Sequence, residues 1–198
     1  MESMTKNQLT EGVHIHHIPS SKFKTTQLVI HMRMPLVRDE ITAYSLLSQL
    51  LVTNTKKYPT QTLFRKKLAE LYGTRISSDV SRKGENAIFY VHLSLANDRF
   101  LDHADLYEQV VELLNEVIFH PNISNGKFNE ATFEREKENV KEELLAATDD
   151  KMRYAQDQLK ELHFDDSAQK VPSRGTVEDL NKITAESIVE TYQQILNE

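Results

Sequence analysis

The residues in this sequence best suited to metal or acid–base chemistry are its eight histidines, three of which form the cluster His14, His16 and His17. In a β-strand, His14 and His16 project from the same face, which is a geometry that can hold a metal ion. Because the sequence names no third ligand beside them, an exposed strand is the preferred interpretation and a metal cluster is the alternative. The remaining histidines are scattered and are predicted to be surface or capping residues: His31, His92, His103, His120 and His163.

The paired carboxylates Glu142 and Glu143 are a second candidate, in a highly charged stretch with helical character. Neighbouring residues on a helix point about 100° apart, so at most one of the two can face a given site. Taken alone, the pair indicates a solvated helix face. The chain contains no cysteine, which excludes disulfides, thiolate metal sites and cysteine nucleophiles. It also lacks the glycine-rich loops and the G-x-S-x-G element that mark nucleotide-binding and hydrolase sites.

Composition narrows the class of protein further. The chain has 198 residues, of which 39% are hydrophobic and 27% charged, as is usual for a globular protein with a sizeable core. A net charge of −6 argues against nucleic acid or an anionic membrane as the main partner. The basic run Arg65-Lys66-Lys67 is predicted to be the solvated face of a helix. No apolar run approaches the roughly 20 residues of a membrane span, and we expect a cytoplasmic protein.

The elements that must position these residues can be outlined from hydrophobic periodicity. Apolar residues alternate over residues 25–36, which predicts a strand, and a shorter strand is predicted around residues 13–18. Residues 75–95 are typical of a hairpin that turns near Gly84. Helices are predicted over residues 42–53, 63–71, 106–119, 130–164, 176–180 and 184–196.

Details within these helices can also be predicted. Thr42 is expected to cap the first helix, and a break is expected near Asp149 and Asp150 in the long one. The later part of the helix predicted over residues 130–164 is expected to be amphipathic. Residues 123–129 are expected to form a loop. Strands, helices, a hairpin and then helices predict an α+β fold, with an antiparallel-rich sheet packed against helices.

Two landmarks carry a family resemblance. Thr55-Lys56-Lys57-Tyr58-Pro59 follows a leucine-rich helix, and Phe133-Glu134-Arg135-Glu136-Lys137-Glu138-Asn139-Val140-Lys141-Glu142-Glu143-Leu144 lies later in the chain. They resemble the insulinase/pitrilysin family of zinc metallopeptidases. In that family an inverted H-x-x-E-H motif lies on a helix before a G-T-K-x-Y-P-like turn. A later F-x-R-E-K-x-x-V-x-E-E-[IL] helix supplies the third zinc ligand. The resemblance runs along nearly the whole chain and implies a metallohydrolase-like α+β domain.

The same resemblance implies which residues stand at the zinc site. Counting back from Thr55, the motif falls on residues 45–49, so that Ser45 and Gln49 occupy the histidine positions. Ser48 occupies the position of the general base, and only Glu143 is retained, at the third-ligand position. Serine and glutamine are poor zinc ligands, and serine does not replace a carboxylate base at neutral pH. We therefore expect no catalytic residues and no bound zinc or other cofactor.

The resemblance also implies an organisation and a function. We expect residues 1–198 to form one N-terminal insulinase-like domain of a two-domain protein. It would be inactive on its own and would act as a non-catalytic subunit or a peptide-binding partner of an active metallopeptidase. Gram-positive bacteria encode such pairs, one protein with an intact H-x-x-E-H motif and one without, and this sequence resembles the one without it. The resemblance implies association with an active family member or with a second copy. One alternative is an active zinc endopeptidase or processing protease with unrecognised ligands, for example His14 and His16 with Glu143. Another is a purely structural subunit.

Overall fold

The structure is a computed structural model that describes residues 3–101, 105–164, 170 and 172–197. His103, which was predicted to be a surface histidine, lies outside the described residues. The predicted α+β fold is confirmed: an antiparallel sheet packs one of its faces against a layer of helices.

The main sheet has three strands in the order β3-β5-β4, so that β5 is central and the other two are edges. Its strands, all antiparallel, are β3 (Thr25–Pro35), β4 (Arg75–Lys83) and β5 (Asn86–Ala96). Two small hairpins accompany it: β1 (Thr5–Thr10) with β2 (Val13–His17), and β6 (Ile123–Ser124) with β7 (Lys127–Phe128). The predicted loop over residues 123–129 was therefore wrong. Strand β1 was not predicted because it lacks the alternation of apolar residues that marks a half-buried strand.

Seven α-helices are found in the described residues. They are α1 (Ile41–Leu51), α2 (Gln61–Glu70), α3 (Leu106–Phe119), α4 (Glu130–Asp149), α5 (Lys151–His163), α6 (Val177–Lys182) and α7 (Ser187–Asn197). The predicted break in the long helix is confirmed at Asp150, which has extended backbone dihedrals. The capping role expected of Thr42 was wrong, because Glu40 stands at the N-cap of α1 and Thr42 lies inside the helix.

The core lies between β5 and α1. The inward residues of β5, which include Phe89 and Leu93, are fully buried, and each buried side chain of this size contributes about 1.5–3 kcal/mol. Helix α1 is buried on both sides, because its leucines enter the core while Ser45 and Ser48 are also covered. The polar side of this helix is therefore interior, and α4 is one of the elements packed against α1.

Two surfaces remain uncovered. Outward residues along β3 are exposed and those of β5 are half-buried, since the helices occupy the other face of the sheet. On α5, the apolar stripe predicted from periodicity does not enter the core. The large side chains of α5 are exposed: Met152, Tyr154, Leu159 and Leu162. Leu145 on α4 is exposed as well. Within the described part of the chain, no helix has the length and apolar character required to cross a bilayer.

Candidate functional site

The structure brings the four motif positions together. Ser45, Ser48 and Gln49 from α1 and Glu143 from α4 line one small cavity. Glu142, the neighbour of Glu143 in sequence, is not among the residues that line it. The remaining lining residues come from α4, from β4 and from the loop before α6: Val140, Leu144, Asp79 and Arg174.

The serine hydroxyls in this cavity have different surroundings. Ser48 donates a hydrogen bond to the backbone carbonyl of Ser45, one helical turn earlier, at 2.7 Å. The hydroxyl of Ser45 is buried and has no hydrogen-bond partner among the described residues. The volume of the cavity that is accessible to water is ≈ 10 Å³, which is about the volume that one water molecule requires. The cavity is thus too small for a peptide side chain.

Glu143 is held by an arginine. Arg174 donates from Nη1 to Oε2 of Glu143 at 2.5 Å and from Nη2 to Oδ2 of Asp79 at 2.9 Å. Guanidinium groups suit such pairs because their N–H donors are fixed in one plane. We call Asp79, Arg174 and Glu143 the arginine clamp. It joins strand β4 to helix α4 across the cavity.

The clamp extends across the sheet through Tyr90, which lies opposite Asp79 on β5. The Tyr90 hydroxyl donates to Oδ2 of Asp79 at 3.5 Å, a long hydrogen bond. Burial raises the pKa of Tyr90, and the nearby Asp79 carboxylate raises it further, so the phenol is protonated at neutral pH and is able to donate. The ring of His31 packs edge-on against Tyr90, with 6.1 Å between the ring centroids.

The loop that carries Arg174 is seated on the start of α1. The backbone N–H of Gly175 donates to the carbonyl of Pro172 at 2.9 Å, and the N–H of Thr176 donates to the hydroxyl of Thr42 at 3.1 Å. Gly175 has φ +88°, and a Cβ built on it would lie 1.8 Å from the Thr42 hydroxyl oxygen. Only glycine allows this approach, so Gly175 places Arg174 over the cavity.

A zinc ion does not fit the residues present. The cavity offers two serines, one glutamine and carboxylates already engaged by Arg174, whereas zinc sites in proteins use histidine, cysteine and free carboxylate ligands. A guanidinium beside Glu143 would also repel a divalent cation. Across the part of the chain that the structure describes, no three histidine, cysteine or carboxylate side chains are grouped so as to hold a metal.

The histidine cluster lies elsewhere. His14 and His16 are exposed on β2, opposite Gln8 and Lys6 of β1. The structure therefore brings together the four motif positions of the family resemblance, but no described residue joins His14 and His16 as a third ligand.

Asp79 and Arg174 were missed by the sequence analysis. Arg174 stands 31 residues from Glu143 and 95 residues from Asp79, so no spacing within one helix or strand could reveal the pairing. The one local signal was Gly175, which marks a turn but not the residue that the turn presents.

The strength of the clamp can be measured with a double-mutant cycle. We expect Arg174→Gln and Glu143→Gln to be coupled by about 0.5–1 kcal/mol in the free energy of unfolding, because the pair is partly exposed and screened by solvent. Urea denaturation of both single variants and the double variant measures this coupling. Glu142→Gln is the matched control and should show no coupling to Arg174. Equal coupling of Arg174 to both glutamates would contradict the arrangement described.

Comparison with known proteins shows that the chain is similar to one peptidase family. The model of the family described as Insulinase (Peptidase family M16) matches residues 43–177. The protein named "Probable inactive metalloprotease YmfF" from Bacillus subtilis (strain 168) is 34% identical over 186 residues, which are 93% of this chain and 44% of that protein.

Solved structures agree in fold. A conserved protein from Enterococcus faecalis V583 superposes with a TM-score of 0.94 and 40% identity, covering 98% of this chain and 46% of that one. A peptidase M16 inactive domain from Pseudomonas fluorescens superposes with a TM-score of 0.73, over 96% of this chain and 43% of that one. At 11% identity, that second likeness shows the fold alone. The chain spans less than half the length of each of these relatives.

Proposed function

Because this chain belongs to the insulinase family, peptidase family M16, we propose that it is a zinc-peptidase homologue without catalytic activity. In this proposal it acts as a non-catalytic subunit or a peptide-binding partner of an active metallopeptidase, in a hetero-oligomer or with a second copy of itself. The family membership confirms the resemblance found in the sequence.

The observation that carries the proposal is the arginine clamp. At the positions where the family resemblance implies two histidines and a general base stand Ser45, Gln49 and Ser48, and the retained Glu143 is bound to Arg174. Loss of ligands alone would leave an uncompensated carboxylate beside the cavity. A guanidinium that pairs with it balances this charge without a metal. This supports a site adapted to a role other than hydrolysis. The name of the Bacillus subtilis relative, a probable inactive metalloprotease, agrees with it.

A role in peptide binding is supported by the edge of the sheet. Among the described residues, strand β4 pairs only with β5 in the main sheet, and no described strand pairs with its other edge. A cavity of ≈ 540 Å³ lies along this edge, lined by residues of β4 together with Lys160, Phe164 and Arg174. Unpaired edge strands bind extended peptides through backbone hydrogen bonds. The edge beside the arginine clamp is therefore a suitable place for a peptide.

Zinc content and peptide turnover test the proposal together. We expect the purified chain to contain far less than one zinc per molecule by elemental analysis. We also expect no chelator-sensitive cleavage of an unstructured fluorogenic peptide. Stoichiometric zinc together with turnover that stops on chelation would overturn the proposal and favour the active-enzyme alternative, in which His14, His16 or other ligands bind the metal.

Association is tested separately. Light scattering of the chain alone reports self-association, and titration with a family member that carries an intact H-x-x-E-H motif reports the hetero-oligomer. The proposal also includes a two-domain organisation for the whole protein, no resident cofactor and a cytoplasmic location. The absence of cysteine supports that location, because it suits a reducing compartment.

A further inference from the structure

The turn that follows α1, which carries part of the family resemblance, lies where the ends of several helices meet. Thr55 closes this turn: its N–H donates to the carbonyl of Tyr58 at 3.1 Å, and its hydroxyl accepts from the N–H of Tyr58 at 3.1 Å. The N–H of Lys56 donates to the carbonyl of His120, the C-cap residue of α3, at 2.9 Å. Because Thr55 is fully buried, the turn is a fixed point in the interior of the domain.

Asn54, in the same turn, reaches the start of α4. Its side-chain amide donates to the hydroxyl of Thr132 at 2.8 Å. That hydroxyl donates in turn to the side chain of Asn129, the N-cap residue of α4, at 3.1 Å. Asn54 and Thr132 are only 3% and 5% exposed, and buried hydrogen-bonded networks favour one arrangement of the elements that carry them. The end of α1 is thus tied to the first turn of α4.

Helix α4 is held by directional contacts at two separated points. Phe133 and Val140 are buried on this helix, but hydrophobic contacts are non-directional and leave its direction free to adjust. Thr132 and Glu143 are 11 residues apart on α4, which is about 16 Å along the helix axis. The bond from Asn54 holds the helix at the first of these residues, and the arginine clamp holds it at the second. A helix held at two points keeps one direction, whereas a helix held at one point can pivot.

We propose that Asn54 is a positioning residue for the candidate site. Through Thr132 it fixes the direction of α4, and with it the place of Glu143 relative to α1. The family resemblance puts zinc ligands on both helices, where a zinc ion would join α1 to α4. In this chain a buried hydrogen bond joins the same two helices without a metal. This positioning role goes beyond the function proposed above and does not require that the chain bind a peptide.

The distance between two spin labels tests this role. The chain contains no cysteine, so labels can be attached at Glu142→Cys on α4 and Val29→Cys on β3, both exposed positions, without removing any other thiol. In this labelled chain, Asn54→Ala should shift or broaden the distance distribution by about 1–2 Å, the scale of helix displacements in proteins. Thr132→Val, which removes the accepting hydroxyl at nearly constant volume, should have the same effect.

Two further variants are the matched controls. Thr132→Ser retains the hydroxyl and should keep the distance distribution of the parent. Asn122→Ala removes an exposed hydrogen bond of 3.2 Å to the carbonyl of Pro59 in the same turn, and it should also leave the distribution unchanged.

Circular dichroism establishes that each labelled variant is folded. An unchanged distribution in folded Asn54→Ala or in folded Thr132→Val would overturn the proposal. An equal change in Thr132→Ser or Asn122→Ala would overturn it too, because the effect would then not depend on the bond between Asn54 and Thr132. If Asn54→Ala does not fold, the comparison of Thr132→Val with Thr132→Ser decides the result.

Discussion

Replacing Gly175 with alanine is expected to lower the free energy of unfolding by about 2–4 kcal/mol. Two effects add. The residue has φ +88°, a conformation that costs a residue with a Cβ about 1–2 kcal/mol. The new methyl would also lie 2.7 Å from Cα of Thr42 and closer still to its side chain. The Thr42 backbone belongs to a buried helix and does not move aside, so the loop must lift away from α1.

Gly73→Ala provides the matched control. Gly73 has a similar φ of +70°, but a Cβ built there meets nothing within 4 Å. This variant should therefore lose only the about 1–2 kcal/mol that comes from backbone strain. Urea denaturation of both variants measures the difference, which isolates the close approach to Thr42. If Gly175→Ala loses no more stability than Gly73→Ala, the loop before α6 is not seated on α1 in the manner described.

Placing histidines at positions 45 and 49 should create a zinc site only when Arg174 is removed. We expect the variant Ser45→His/Gln49→His/Arg174→Ala to bind one zinc with a Kd of about 1 μM or lower, corresponding to about 8 kcal/mol. The new ligands would stand at i and i+4 on one helical face, with Glu143 released as the third ligand. Removal of the Arg174 side chain also opens space for the imidazole rings, since Ser45 is 6% exposed.

Two further variants serve as controls for this experiment. With Arg174 retained, Ser45→His/Gln49→His should bind zinc about two- to fivefold more weakly, because the metal must displace a partly exposed guanidinium from Glu143. Adding Glu143→Gln to the triple variant should weaken binding again. Calorimetric titration measures affinity, and circular dichroism establishes that each variant is folded. Equal affinity with and without Arg174 would show that the arginine does not compete for the site.

Much of the fold followed from local pattern. The alternation of apolar residues in β5 and their helical spacing in α3 predicted both elements closely, because each reflects burial of one face by a single element. Polar β1 and the two-residue strands β6 and β7 have no such pattern and were missed. On α5 the pattern was present, but no element among the described residues buries its apolar stripe. Periodicity reports that a face is apolar and not what covers it.

The candidate site, too, was predicted from the sequence only in part. Residue identity at positions 45, 48 and 49 was enough, with the family resemblance, to predict that histidine ligands and a carboxylate base are missing. The same resemblance singled out Glu143, which the sequence by itself did not distinguish from the other glutamates of the chain. The polar side of α1, in contrast, is shown to be interior only by the packing of the helices around it.

Only the tertiary structure decided what stands beside Glu143. Arg174 reaches it because Gly175 permits the loop to touch Thr42, and Asp79 completes the clamp from a strand 95 residues away in sequence. Such contacts depend on how separate elements are placed relative to one another, and no repeat along the chain encodes that placement. The residues at positions 45, 48 and 49 are a property of the sequence, whereas the cation that pairs with Glu143 is a property of the fold.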